Sequence, residues 1–165
     1  MTQLEAATPE IFDTAGSIIS TEVEIAATPD EVWAVLNDHA GWVDWFPGAK
    51  SVVAQPEAWQ APGDTRQIHV SFLKVSEAAI IVEPGADMAF TILEWQIPIA
   101  KRAAERVQIT DTSRNGEDRV NLVYTGAFDL TLSGRMSWSV METRFAGLWG
   151  VALENINDVV AKRRT

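Results

Sequence analysis

Cysteine is absent from this chain, tyrosine occurs once and histidine only twice. Without thiols there is no disulfide and no thiolate nucleophile, and the cytoplasm is the default expectation. The two histidines, His39 and His69, lie near no carboxylate at metal-ligand spacing, so no metal site is expected. His69 falls on the polar side of a predicted strand and His39 at the end of a predicted helix, which argues against a histidine base in a pocket. A phosphate-binding loop, a dinucleotide fingerprint and a nucleophile elbow are also missing, and no cofactor is expected. No segment approaches the ~18 consecutive apolar residues of a membrane span. The first sixteen residues, MTQLEAATPEIFDTAG, have neither a basic start nor an apolar run, so they read as a loosely held arm rather than a secretion signal. Basic residues are outnumbered: 13 Lys and Arg against 23 Asp and Glu give a net charge of −10. Such a chain repels phosphate backbones and anionic lipid, so neither nucleic-acid binding nor stable membrane attachment is expected.

What is present points to one domain, residues 17–165, behind an arm at 1–16. Thr21, Val23 and Ile25 alternate with Glu22 and Glu24, the period of a half-buried strand. Thr28-Pro29-Asp30-Glu31 then opens a helix with a capping box and a proline at its first position. Trp42, Trp45 and Phe46 crowd a second short helical segment stopped by Pro47-Gly48. Pro62-Gly63, Pro84-Gly85 and Asn115-Gly116 are turn dipeptides, the last a strong hairpin signal. They separate strand candidates at Ser51–Gln55, Thr65–Leu73, Glu77–Glu83, Met88–Trp95, Ala103–Asp111 and Arg119–Asp129. After Ser133 the period changes: Trp138, Met141, Phe145, Leu148, Ala152, Ile156 and Val159 mark one face of a helix reaching about Arg163.

The segments ATPDEVWAVLND (Ala27 to Asp38), WFPG (Trp45 to Gly48), Gly63-Asp64-Thr65-Arg66 and the long final helix resemble the START-like or SRPBCC helix-grip superfamily, of the polyketide cyclase/dehydrase and lipid-transport type. The resemblance covers roughly Ser17 to Arg163. It implies an α+β helix-grip fold, in which a seven-stranded antiparallel sheet wraps around a long C-terminal helix and two short helices follow the first strand. It also implies a cavity between helix and sheet. This superfamily carries many functions on one scaffold. The expected function is binding or carriage of a small hydrophobic, lipid- or polyketide-like molecule. The alternatives are a polyketide cyclase, aromatase or dehydratase, and an interaction module with an apolar groove. Monomer and homodimer both stay open.

Alternation places Arg66 on one face with Ile68, Val70 and Phe72, and Glu94 on one face with Phe90 and Ile92. Tyr124 falls on one face with Val120, Leu122 and Phe128. These polar groups on apolar faces either reach solvent at strand ends or orient a ligand. The expected lining is Arg66, Phe72, Phe90, Glu94, Trp95, Tyr124, Trp138, Met141, Phe145 and Trp149. Gly147 and Gly150, beside Phe145 and Trp149, read either as close helix-to-sheet packing or as room for a ligand. Arg66 would suit a carboxylate or enolate oxygen, because its fork holds two oxygens at once. Glu94, if desolvated, would act as acid or base, so Glu94, Tyr124 and Arg66 are the catalytic candidates.

Overall fold

Local chemistry at Thr28 starts the fold as the sequence predicts. The Thr28 hydroxyl accepts from the Glu31 amide, and the Glu31 carboxylate accepts from the Thr28 amide. The computed structural model describes residues 1–165. Its strands are β1 (Thr2–Gln3), β2 (Ser17–Ile25), β3 (Ala49–Gln55), β4 (Thr65–Val70), β5 (Leu73–Glu83), β6 (Asp87–Trp95), β7 (Ala100–Asp111) and β8 (Val120–Leu130). Its helices are α1 (Ile11–Thr14), α2 (Pro29–Leu36) and α3 (Leu132–Arg163), with a 3-10 turn at Ala40–Asp44. All pairings are antiparallel, in the order β2-β8-β7-β6-β5-β4-β3. Strands β3 to β8 form a meander. β2 closes on β8, so α2 and the 3-10 turn carry the chain from one sheet edge to the other. Asn115 and Gly116 both take positive φ at the β7–β8 turn, as that dipeptide requires.

The arm is not loosely held. The far halves of β6 and β7 splay apart, and the chain start fills the gap. β1 pairs with β6 through Thr2 and Trp95, the Leu4 amide donates to Leu93 O, and the Glu5 amide donates to Lys101 O. Ala7, Ile11 and Phe12 then bury themselves over Ala89, Ala104 and Ala127 on the outer side of the sheet. The small side chains of three adjacent strands leave a shallow apolar seat that one helical turn can cover.

α3 is held unevenly along its 32 residues. Gly134 is its only buried residue before Trp149; from Trp149 onward Ala152, Leu153, Ile156, Val159 and Val160 are all buried. Leu132 and Met136 lie open to solvent. The helix is anchored by its C-terminal half, where Arg163 Nη1 donates to Ala34 O and Arg164 pairs with Glu31. Its N-terminal half is thinly packed, which is the condition for local opening at low cost.

Candidate functional site

Inward-facing residues of β4, β5, β6 and β7 meet α3 around a cavity of about 90 Å3. Its wall is apolar, with Trp42, Ile92, Trp95, Phe145 and Trp149 prominent, and it carries three charged or titratable side chains: Arg66, Glu77 and Glu105. Arg66 stands where alternation puts it, 2% exposed. Its cross-strand partner on β5 is Glu77, and Nε donates to the Glu77 carboxylate at 2.5 Å. Its guanidinium lies 3.7 Å from the Trp42 ring centroid, 4.3 Å from Phe90 and 4.8 Å from Trp59. A delocalised cation between aromatic faces is held in place as well as neutralised. The loop carrying Trp59 is fixed by Asn37, whose side chain accepts from the Trp59 amide and donates to its carbonyl.

His39 is buried behind Arg66 and does not itself border the cavity. The chain leaving α2 enters the 3-10 turn at once and tucks the imidazole against Trp59, at 4.4 Å between ring centroids. His39 Nδ1 lies 3.1 Å from Arg66 Nη1. Burial first, and the Arg66 charge second, hold its pKa down from 6.5 to about 3, so it is neutral and accepts from the guanidinium.

Deeper in the wall, the Tyr124 hydroxyl donates to Glu105 Oε2. Burial raises the Glu105 carboxyl from 4.5 to about 7, with the neighbouring Glu77 adding to the rise. Burial also raises Glu77, against the opposing pull of Arg66. Tyr124 is pushed well above its usual range by burial and by Glu105. Its ring stacks on Trp149 at 4.8 Å, and Trp149 and Phe145 stack in turn with Phe128. This ladder is the inner face of the helix-to-sheet contact.

Of the expected lining, Arg66, Trp95, Phe145 and Trp149 do border the cavity. Tyr124 sits one layer behind it, through Glu105, and Phe90 sits beneath the Arg66 guanidinium. Trp138 packs on Phe128 at 5.2 Å, and Met141 lies partly buried against the core. Neither borders the cavity, because the helix reaches it only at Phe145, one turn further on. Phe72 is 82% exposed. β4 ends at Val70 and pairs with Leu73, so Ser71 and Phe72 form a two-residue turn with Ser71 at φ 55°.

Glu94 faces outward, beside Gln3, whose Nε2 donates to it at 3.4 Å. A β-bulge is the cause: Ser76 pairs with Glu94 and Glu77 with Ile92, leaving Leu93 without a partner on β5. Beyond this extra residue the alternation inverts, and Trp95 instead of Glu94 points inward. Glu105 and Glu77 take the place expected of Glu94.

Of the α3 glycines, Gly134 lies tight against the Ile99 carbonyl, but Gly147 and Gly150 make no close approach. A Cβ on Gly147 would meet nothing within 4 Å, and one on Gly150 only Thr21 Oγ1 at 3.7 Å. Beside the cavity the tight contact is at Gly126 on β8, where the Trp149 indole lies across the backbone. A Cβ there would overlap Trp149 Cη2 and stand 2.8 Å from Phe128 Cε2. Gly126→Ala should therefore destabilise the fold by about 1–3 kcal/mol through overpacking and shift tryptophan emission. Urea unfolding followed by fluorescence checks this; unchanged emission and midpoint would mean the indole is not seated on Gly126.

The family described as polyketide cyclase / dehydrase and lipid transport matches residues 18–161. Among solved structures, the Zhui aromatase/cyclase from Streptomcyes sp. R1128 superposes with a TM-score of 0.73 at 19% identity, covering 90% of this chain and 96% of that one. The protein XoxI from Bacillus cereus gives 0.70 at 14% identity, covering 90% and 99%. TTHA0849 from Thermus thermophilus gives 0.69 at 13%, covering 90% and 100%. At these identities the likeness is one of fold. Among curated proteins none matches this chain.

Proposed function

The chain belongs to the polyketide cyclase / dehydrase and lipid-transport family, and we propose that it binds a small hydrophobic molecule between the sheet and α3. The observation that carries this reading is the cavity itself: an apolar wall of four strands and one helix, interrupted by a few fixed polar groups. Ligand sites have this composition, an apolar body with a small number of orienting contacts. At about 90 Å3 the space is smaller than the roughly 300–1,000 Å3 of drug-sized sites. A ligand therefore enters by displacing Phe145 and Leu148, which sit at the end of the thinly packed half of α3.

A second reading, a cyclase or dehydratase, is favoured by one observation. Glu105 borders the cavity, accepts from Tyr124, and has a pKa raised to about 7. A carboxyl poised near neutrality can both give and take a proton, and the unpartnered Arg66 Nη2 could donate one hydrogen bond to an oxygen formed beside it.

The test of binding is native mass spectrometry of protein purified from its own host, together with titration of an apolar fluorescent probe. The expected results are a co-purified lipophile and micromolar probe binding, equivalent to about 8 kcal/mol, with quenching of tryptophan emission. If the protein emerges bare and no probe changes the emission, the domain is a packed scaffold instead of a carrier.

A further inference from the structure

We propose that the cavity takes uncharged, oxygen-bearing apolar molecules (esters, ketones, alcohols, phenols) and turns away carboxylates of the same length. The inference rests on the binding function proposed above and adds the charge state of the ligand.

The wall presents one cation and two carboxyl groups. Arg66 faces Glu77 on β5 and Glu105 on β7, while His39 behind it is neutral and Tyr124 keeps its proton. The Arg66 charge is already used. Nε donates to Glu77, and Nη1 lies against His39 Nδ1. The guanidinium cannot turn to present its fork, because Trp42 and Phe90 hold it. A ligand carboxylate entering here would lose its water shell and meet two acidic neighbours with no free two-pronged donor to compensate it. The fork that a lone arginine would offer such a ligand is closed.

Four buried side-chain nitrogens lack partners, His39 Nε2, Trp45 Nε1, Arg66 Nη2 and Trp95 Nε1, and of these only Arg66 Nη2 and the Trp95 indole belong to residues that border the cavity. An unmade hydrogen bond at a buried donor is costly, and a ligand that supplies the acceptor recovers that cost. The two donors sit on different side chains, one on β4 and one on β6, and neither is part of an open fork, because Arg66 Nε and Nη1 are both occupied. Each therefore matches one neutral oxygen, a carbonyl, ether or hydroxyl, and not a carboxylate's pair. The polar pattern inside the apolar wall is thus two separate donors in a site of no net positive charge.

A matched series tests this: methyl decanoate, decanol and decanoate, titrated into the intact protein at about pH 8, where a free carboxyl is ionised, and followed by tryptophan fluorescence. The ester and the alcohol should bind at least about tenfold more tightly than decanoate. Glu77→Gln releases Arg66 and should raise decanoate affinity by about tenfold while leaving the ester within a few-fold. Should that variant not fold, the wild-type series alone decides. Equal or tighter binding of decanoate by the wild type overturns the charge selection and leaves the hydrophobic-ligand reading standing. Absence of binding by all three overturns both.

Discussion

Replacing Arg66 with Met should lower the free energy of unfolding by about 3–5 kcal/mol, the usual effect of removing one member of a buried ion pair. Arg66 is 2% exposed and Glu77 5%. Deleting the cation strands the Glu77 carboxylate in a wall built of Trp42, Ile92 and Trp95, where water cannot replace it. The methionine keeps much of the volume and the contact with the aromatic rings, so the loss reports charge more than packing. The double variant Arg66→Met, Glu77→Met removes both charges and should recover most of the loss, because a well-packed apolar pair is often as stable as the ion pair it replaces. Urea denaturation of the wild type, both single variants and the double completes the cycle. A cost below about 1 kcal/mol for Arg66→Met, the level of a solvent-exposed pair, would mean that the pair is hydrated and the cavity wet.

Glu105 should make the protein less stable as pH rises from the acid side through neutrality. Its pKa goes from an ordinary 4.5 to about 7 on folding, chiefly through burial. Between those values the folded protein holds a proton that the unfolded chain has released, so raising the pH favours unfolding. The contribution is fully present below 4.5 and is lost as the pH passes through about 7. The whole change amounts to about 3 kcal/mol. Glu105→Gln keeps the acceptor for Tyr124 and carries no charge. Relative to this variant the wild type should be level near pH 4 and about 3 kcal/mol less stable above pH 8. Glu77, Arg66 and Tyr124 are the titratable groups facing Glu105, and all three remain in the variant. His39 contributes the opposite slope, because its pKa is lowered to about 3 and stability is lost as pH falls below 6.5. That slope is common to both proteins and cancels in the difference. A difference curve that stays flat from pH 4 to 8 would place Glu105 in contact with water.

The fold was largely legible in the residues. The capping box at Thr28, the left-handed Asn115-Gly116 turn and the change of period near Ser133 are local signals, and each matches the element it predicts. Arg66 was legible too, because it shares a register with Ile68 on one strand. The same alternation applied to β7 sets Glu105 between Ala103 and Val107, all three facing inward, and applied to β5 sets Glu77 beside Ala79. Charged residues on a strand read most readily as its solvent side, and that reading conceals both carboxyls. Other features carry no local signal. Ser71 and Phe72 lack the glycine or asparagine that marks a tight turn, so the apolar run through Leu73 reads as one strand. The seat of the arm depends on three alanines from three strands, and the burial of His39 on the distant loop that carries Trp59. Contacts of that kind exist only after the sheet has formed.

The absence of a β5 partner for Leu93 has a consequence for how this family member could diverge. Substitution alters a cavity one side chain at a time, and most polar replacements in such a wall are destabilising. A strand with one extra residue offers another route. Inserting a single codon into β5 between Ser76 and Glu77 would give Leu93 a partner and restore strict alternation along β6. Glu94 would then turn inward and Trp95 outward, because a shift of one residue moves every side chain beyond it to the other face. The irregularity would pass to the β4 side of β5. In one heritable step the cavity would exchange an indole donor for an acid, with β6 itself keeping its sequence. Leu73 and Val75 of β5 would turn out as Ser76 turned in with Glu94. Gain or loss of one residue opposite Leu93 would therefore act as a compact genetic switch for ligand preference.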